Sequence, residues 1–143
     1  MGIWRNKIDL KDVQKLCENT MVSHLGMEIL ELGDDFIRGR MPVDHRTKQP
    51  AGLLHGGASV ALAESLASLA GNFIVDSKNQ MCVGVEINAN HLKSTTKGYV
   101  EGISRPIHIG RTTQVWETKI SRDDGELCCI SRMTLAVVSK KRN

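Results

Sequence analysis

The stretch LLHGGASVALAESLASLAGNFIV, residues 53–75, decides the fold. Its length and its small, apolar composition predict a long core helix, and beyond His55 its one ionisable side chain is Glu64. Water-facing polar residues are missing all round this helix, so a sheet on one side cannot cover it completely. We expect a second copy of the chain to cover the rest. The stripe predicted to face the sheet comprises Leu54, Ala58, Leu62, Leu66, Leu69 and Phe73.

Strand-like runs flank this helix on both sides. Two precede it, MEILEL at 27–32 and FIRGRMPV at 36–43, and a short helix starting near Asp9 precedes them. Four follow it, and Asp123-Asp124-Gly125 supplies a hairpin turn between the last two. Sequential strands joined by short turns predict an α+β fold in which one long helix packs on an antiparallel sheet. The four later runs span 80–92, 98–109, 112–121 and 126–138.

Length and composition predict one domain over residues 1–143, with an N-terminal helical segment at 1–22 and a flexible basic tail at 139–143. The net charge of +3 is mild, and five aromatic residues are too few for a base-stacking surface, so nucleic acid is not an expected partner. The four cysteines form no C-x-x-C pair. No signal peptide or membrane span is recognisable, so we expect a cytoplasmic protein with reduced thiols.

A possible reaction centre surrounds Glu64. Ser68 lies one helical turn later on the same face, where it can hydrogen-bond the carboxylate. His55-Gly56-Gly57 stands at the helix start, where free N–H groups and the positive end of the dipole suit a developing oxyanion. Gln49 adds a neutral donor and acceptor in the preceding loop. Together these residues favour a reaction site with hydrolytic chemistry at a carboxylate.

Spacing indicates that two chains share this site. Gly56 and Glu64 are eight residues apart, which is roughly 12 Å along a helix. Reacting atoms must lie within about 3–3.5 Å of each other, so one chain cannot easily supply both groups. A two-fold axis between antiparallel helices brings each Gly56 toward the other chain's Glu64.

Structural interpretations of the same residues stay open. Glu64 can be a satisfied polar contact, Gly56-Gly57 can serve close packing, and His55 can be an ordinary loop histidine. Other chemistries lack their motifs: there is no G-x-S-x-G, P-loop, H-E-x-x-H or G-x-G-x-x-G. The histidines and cysteines show no metal-ligand spacing, so neither a metal nor a cofactor is expected.

Two segments carry a resemblance to a known family. PVDHRTKQPAGLLHGGASVALAES (42–65) and VGVEINANHLKS (83–94) resemble the hotdog-fold acyl-CoA thioesterases related to 4-hydroxybenzoyl-CoA thioesterase, in the branch with a helix-borne Glu. The likeness runs nearly end to end. It implies a hotdog fold, in which a curved antiparallel sheet of five to six strands wraps one central helix. One departure is Ala51, where family members often carry Phe.

The resemblance also implies roles for individual residues. Glu64 is the nucleophile or general base, and the Gly56 amide polarises the thioester carbonyl. His55 and Gln49 orient the thioester or water, while Ser68 supports Glu64. Lys93 and Arg111 suit phosphate, although each can also be a solvated surface charge. The implied contacts to coenzyme A, which is part of the substrate and not a cofactor, are Gly84, His91, Leu92, Lys93, Ser94, His108, Ile109, Gly110 and Arg111.

The implied activity is hydrolysis of acyl-CoA thioesters by homodimers that pair into homotetramers. Aromatic acyl groups such as 1,4-dihydroxy-2-naphthoyl, in menaquinone biosynthesis, are the expected substrates, and fatty acyl-CoA or a misacylated aroyl carrier protein is the alternative. Two other classes stay open, a noncatalytic acyl-CoA binder and a hydratase or dehydratase. The binder is disfavoured, because binding alone does not need the carboxylate.

Overall fold

A computed structural model of the chain describes residues 2–5 and 7–141. That part of the chain contains three helices and six strands, and every strand run predicted above is confirmed. Arg142 and Asn143, the end of the predicted tail, lie outside it. The elements are α1 (Leu10–Cys17), α2 (Met21–His24), β1 (Glu28–Leu32), β2 (Ile37–Pro42), α3 (Gly56–Ile74), β3 (Gln80–His91), β4 (Tyr99–Ile109), β5 (Thr113–Arg122) and β6 (Leu127–Ser139).

The six strands form one sheet in the order β1-β2-β4-β5-β6-β3, and all neighbours are antiparallel. The sheet is antiparallel as predicted, but β3 does not lie beside the next strand along the chain. This strand leaves the end of α3 and pairs with β6, so it forms an edge of the sheet and is not a neighbour of β4. Its position decides which part of the chain flanks the start of α3.

Helix α3 packs on one face of this sheet, against strands β2 to β6. The predicted stripe is partly wrong. Leu54 is half-buried and lies before the helix begins, and Leu69 and Phe73 are only half-buried. They turn instead toward the N-terminal segment, where Phe73 contacts the Trp4 ring edge-on at 6.4 Å between centroids. By length and composition α3 could also span a membrane, but core helices of globular folds share that property. The buried helix residues are Ala58, Ser59, Leu62, Ala63, Leu66, Ala67, Ala70 and Gly71.

Small residues let the helix approach the sheet closely. A β-carbon at Gly102 would lie 2.9 Å from Leu66, and one at Gly71 would overlap Leu135. The buried Gln114 accepts a hydrogen bond from the Trp116 indole at 2.9 Å, so the core satisfies its large polar groups. Bulges in β1, β3, β4 and β6 bend the sheet around the helix.

The N-terminal segment braces the end of α3. Asp9 caps α1 by accepting from the Lys11 N–H, which confirms the predicted helix start. The Arg5 N–H donates to the Phe73 carbonyl, one of the groups that the end of a helix leaves without an internal partner. Trp4 donates its indole N–H to the Gly33 carbonyl at 2.7 Å.

Candidate active site

The loop before α3 is held by a buried threonine. Thr47, 1% exposed, donates its hydroxyl to the Pro42 carbonyl at 2.7 Å, and its own carbonyl accepts from the His55 N–H at 2.8 Å. Hydrogen bonds from the Arg46 side chain and backbone lower the pKa of Asp44 to about 2. The Asp44 carboxylate therefore stays ionised and paired with Arg46 in this turn. The loop therefore fixes where α3 begins. Sequence reasoning did not single out Thr47, although a threonine in an otherwise charged loop was a signal.

The start of α3 leaves one backbone donor open. His55 is the N-cap, and its Nδ1 accepts from the Gly57 N–H at 2.8 Å. The N–H groups of Ala58 and Ser59 both bond the His55 carbonyl. Within the described residues, nothing accepts from the Gly56 N–H. Gly56 therefore supplies the available donor at the positive end of the helix, as the sequence predicts for a group that polarises a carbonyl.

His91, at the end of β3, lies directly against this donor. A β-carbon at Gly56 would come 2.8 Å from His91 Nε2. A side chain at position 56 would therefore have to displace the imidazole. The resemblance assigned His91 to coenzyme A, whereas the structure places its ring at the helix start.

A cavity of about 370 Å³ opens at the same place. It brings together six of the predicted site residues, although the sequence separates them widely. Gln49 lies at its rim, where the side-chain oxygen accepts from the Ala51 N–H. Cys128, which sequence reasoning did not assign to the site, also lines it. The predicted residues in the cavity wall are Gln49, Gly56, His91, Leu92, Lys93 and Ser94.

Glu64 lies outside this cavity. Its side chain is exposed in the single chain, and no hydrogen bond or ion pair reaches its carboxylate from the described residues. A β-carbon at Gly84 of β3 would lie 3.2 Å from Glu64 Oε1. Gly84, predicted as a coenzyme A contact, thus makes room for the carboxylate. One chain presents the carboxylate and the helix-start donor at separate places, as the spacing predicts.

Ser68 lines a second, apolar cavity of about 350 Å³ between α1 and α3. No hydrogen bond joins Ser68 to Glu64 among residues 2–5 and 7–141, so its supporting role stays a prediction. The cavity is one helical turn beyond the carboxylate. Its other lining residues are Leu16, Cys17, Thr20, Val22, Leu69, Asn72 and Phe73.

The remaining predicted contacts, His108 to Arg111, lie at the other end of the sheet. They end β4 and begin the turn to β5, where Thr112 accepts from Val137 near the end of β6. Leu92, in contrast, bonds Cys128 near the start of β6. One chain therefore does not bring residues 91–94 and 108–111 together. Lys93 pairs with Glu126 at 2.5 Å, so part of its charge is already compensated.

Across the described ranges, no group of three or more His, Cys, Asp or Glu side chains is placed to hold a metal ion. The expectation that the reaction needs no metal or cofactor remains a prediction.

Comparison with known families establishes the class of protein to which this fold and this site belong. Residues 51–129 match the family model of the thioesterase superfamily, and the chain belongs to it. It has the hotdog fold of this superfamily and is a thioester hydrolase. Two of the expectations drawn from sequence, the fold and thioester hydrolysis, are thereby confirmed.

Individual relatives match over almost their whole length. The 1,4-dihydroxy-2-naphthoyl-CoA hydrolase of Escherichia coli (strain K12) is 48% identical over 95% of this chain and 99% of its own. The proofreading thioesterase EntH of Cronobacter turicensis is 46% identical over 95% and 98%. A crystal structure of a thioesterase from Haemophilus influenzae superposes with a TM-score of 0.93 at 47% identity, covering 96% of this chain and 95% of that one.

Proposed function

We propose that the chain hydrolyses aromatic acyl-CoA thioesters, with Glu64 acting at the carbonyl carbon and the Gly56 N–H at the carbonyl oxygen. The observation that carries this is the open Gly56 donor beside His91 in a cavity that also holds Gln49. Glu64 either attacks the carbonyl carbon or removes a proton from the attacking water. The negative charge that develops on the oxygen is stabilised at the helix start.

The site is completed by a second chain that pairs along β3. Glu64 lies over Gly84, while His91 lies against Gly56, and both contacts are on the same face of this edge strand. The backbone groups of Gly84 and His91 point to the free edge, because their neighbours in sequence face β6. Setting Gly84 opposite the partner's His91 therefore brings Glu64 to the Gly56 of the partner subunit.

This pairing has a defined two-fold axis. With the bulged Val85 left out of the count, Asn88 lies midway between Gly84 and His91 and falls on the axis. Antiparallel pairing also brings residues 91–94 of one chain to the same end of the assembly as residues 108–111 of its partner. The two predicted groups of coenzyme A contacts can then serve one substrate.

The apolar cavity beside Ser68 supports an aromatic acyl group. Its volume of about 350 Å³ suits a one- or two-ring acyl group, and its wall is formed mainly by apolar side chains such as Leu69 and Phe73. The name of the Escherichia coli relative points the same way, toward a dihydroxynaphthoyl group. Menaquinone biosynthesis, as the resemblance implies, is the pathway that we propose for such a substrate.

We further propose that the protein is a homotetramer and that it is cytoplasmic. The resemblance implies that the dimers pair into tetramers, which size-exclusion chromatography with light scattering would measure. All four cysteines are free and buried, which suits a cytoplasmic protein.

A hydrolysis screen tests the proposed substrate class. Purified protein is assayed with benzoyl-, 1,4-dihydroxy-2-naphthoyl-, phenylacetyl- and palmitoyl-CoA, and with an aroyl-loaded acyl carrier protein, reading out free thiol. We expect the highest kcat/KM with the aroyl-CoAs. A preference for palmitoyl-CoA would contradict the aromatic class, and a preference for the loaded carrier protein would contradict coenzyme A as the physiological thiol.

A further inference from the structure

Asn72, two helical turns after Glu64, ties the end of α3 to β3. Its Oδ1 accepts from the Cys82 N–H at 2.9 Å. Its Nδ2 donates to the Ser68 carbonyl at 2.9 Å and lies 3.4 Å from the Cys82 carbonyl. The side-chain amide therefore holds both backbone groups of Cys82, as a residue of a neighbouring strand would.

These two groups of Cys82 belong to the free edge of the sheet. Cys82 is opposite Val137 of β6, but the Val137 N–H donates to the Thr112 carbonyl, on the β5 side. In an antiparallel ladder such a pair exchanges no hydrogen bonds, so Cys82 points its N–H and carbonyl away from β6. Asn72 thus occupies the edge of β3 beside Cys82, where the backbone of a second chain could otherwise form hydrogen bonds.

Blocking this place matters, because β3 can pair with its copy in more than one register. If the two-fold axis moved from Asn88 to Ile87, Cys82 would lie opposite the partner's His91. The ladder between the two β3 strands would then gain one hydrogen-bonded pair of residues. The chains would then be displaced by two residues, about 7 Å along the strand. Glu64 would no longer meet the partner's Gly56, since reacting atoms must lie within about 3–3.5 Å.

We propose that Asn72 is a positioning residue that ends edge pairing before Cys82 and thereby selects the register that assembles the active site. The proposal rests on the β3-paired dimer proposed above. Edge strands commonly need such devices, because a slip changes which residues meet. Asn72 touches no reacting atom. Its side chain also lines the apolar cavity beside Ser68, so the cross-link pattern, and not kcat alone, must read its effect on the register.

Cysteine cross-linking reads the register directly. Glu86, Asn88 and Asn90 are exposed on β3, whereas the four native cysteines are buried. In the proposed register Asn88→Cys faces itself across a close, non-hydrogen-bonded pair, which a disulfide can span. In the displaced register it faces residue 86 instead. Oxidation therefore distinguishes the two registers. A disulfide in Asn88→Cys alone reports the proposed register, and a disulfide between mixed Glu86→Cys and Asn88→Cys chains reports the displaced one.

Asn72→Leu is then introduced into each cysteine variant. We expect the Asn88→Cys self-link to fall about tenfold, because the displaced ladder gains backbone hydrogen bonds. The 86–88 link should appear, and kcat should fall in parallel with the self-link. Asn72→Asp keeps an oxygen for the Cys82 N–H and should retain the register. Asn79→Leu is the matched control, since Asn79 bonds Asp76 and not the strand edge.

The outcomes separate the two proposals. A self-link and a kcat unchanged by Asn72→Leu would overturn the role of Asn72 while leaving the dimer intact. Failure of Asn88→Cys to self-link with Asn72 in place would overturn the proposed register, and the role of Asn72 with it. If Asn72→Leu does not fold, Asn72→Ser removes the same amide with less bulk and must give the same displacement.

Discussion

The imidazole of His91 occupies the space beside Gly56, with Nε2 only 2.8 Å from where a β-carbon of residue 56 would lie. This contact places the end of the edge strand β3 at the start of the central helix. It also explains a glycine that backbone conformation alone does not require, since Gly56 is not among the glycines with positive φ.

Gly56→Ala should therefore lower kcat/KM by displacing His91 and the bound carbonyl. A shift of about 1 Å at a reacting group can cost about 10²-fold, which sets the expected size. The double variant Gly56→Ala/His91→Ala should recover part of this loss, because it removes the clash. Steady-state kinetics on all variants measures the coupling. Strictly additive losses would show that the contact is unimportant.

Glu64→Gln should lower kcat by about 10²–10⁴-fold, the usual range for general acid–base catalysis. Its carboxylate is exposed in the single chain and makes no hydrogen bond with the described residues, so the unfolding midpoint should not change. Thiol release and thermal unfolding are the two measurements. A variant that keeps more than a tenth of the wild-type kcat would contradict the assignment.

Much of the fold could be predicted from sequence, because periodicity and turn residues act locally. Asp9 capped α1 and the Asp123-Asp124-Gly125 turn joined β5 to β6 as expected. The place of β3 beside β6 could not be predicted, since pairing across the sheet leaves no local signal. The prediction of the helix stripe failed at Leu69 for a similar reason, because Leu69 lines an apolar cavity together with Leu16 and Val22 of the N-terminal segment.

The sequence singled out residues that the structure places together, but not how they are arranged. Gly56 was singled out at the helix start, Gln49 in the preceding loop and His91 through the resemblance, and all three line one cavity. The roles of Gly84, which makes room for Glu64, and of Asn72 depend on contacts between α3 and β3. Such contacts appear only once the strand order is known.

Thr47→Val should destabilise the loop that carries Gln49. The change removes the buried hydrogen bond to the Pro42 carbonyl while keeping the shape, and an unsatisfied buried group costs about 1–3 kcal/mol. Urea unfolding measures the loss. Thr96→Val, at an exposed position, is the control and should change the free energy of unfolding by no more than about 0.5 kcal/mol. Equal effects of the two changes would contradict the anchoring role.

The native thiols should be unreactive at pH 8. Burial raises the pKa of Cys17, Cys82 and Cys128, and raises that of Cys129 to about 11. A raised pKa keeps the thiol protonated, so the reactive thiolate appears only as the pH climbs toward the raised value. Labelling with a chromogenic disulfide reagent should be slow in the native protein and complete after unfolding. Rapid labelling of the folded protein at pH 8 would contradict this.

Mixing two inactive variants tests the composite site most directly. One chain carries Glu64→Gln and the other Gln49→Ala, with different affinity tags so that heterodimers can be purified and verified. If Glu64 of one chain serves the Gly56 and Gln49 end of its partner, one site in each heterodimer carries both changes and the other site carries neither. Heterodimers should then recover up to about half of the wild-type activity. If each chain holds a complete site, every site carries one change, and verified heterodimers would stay as inactive as their parents.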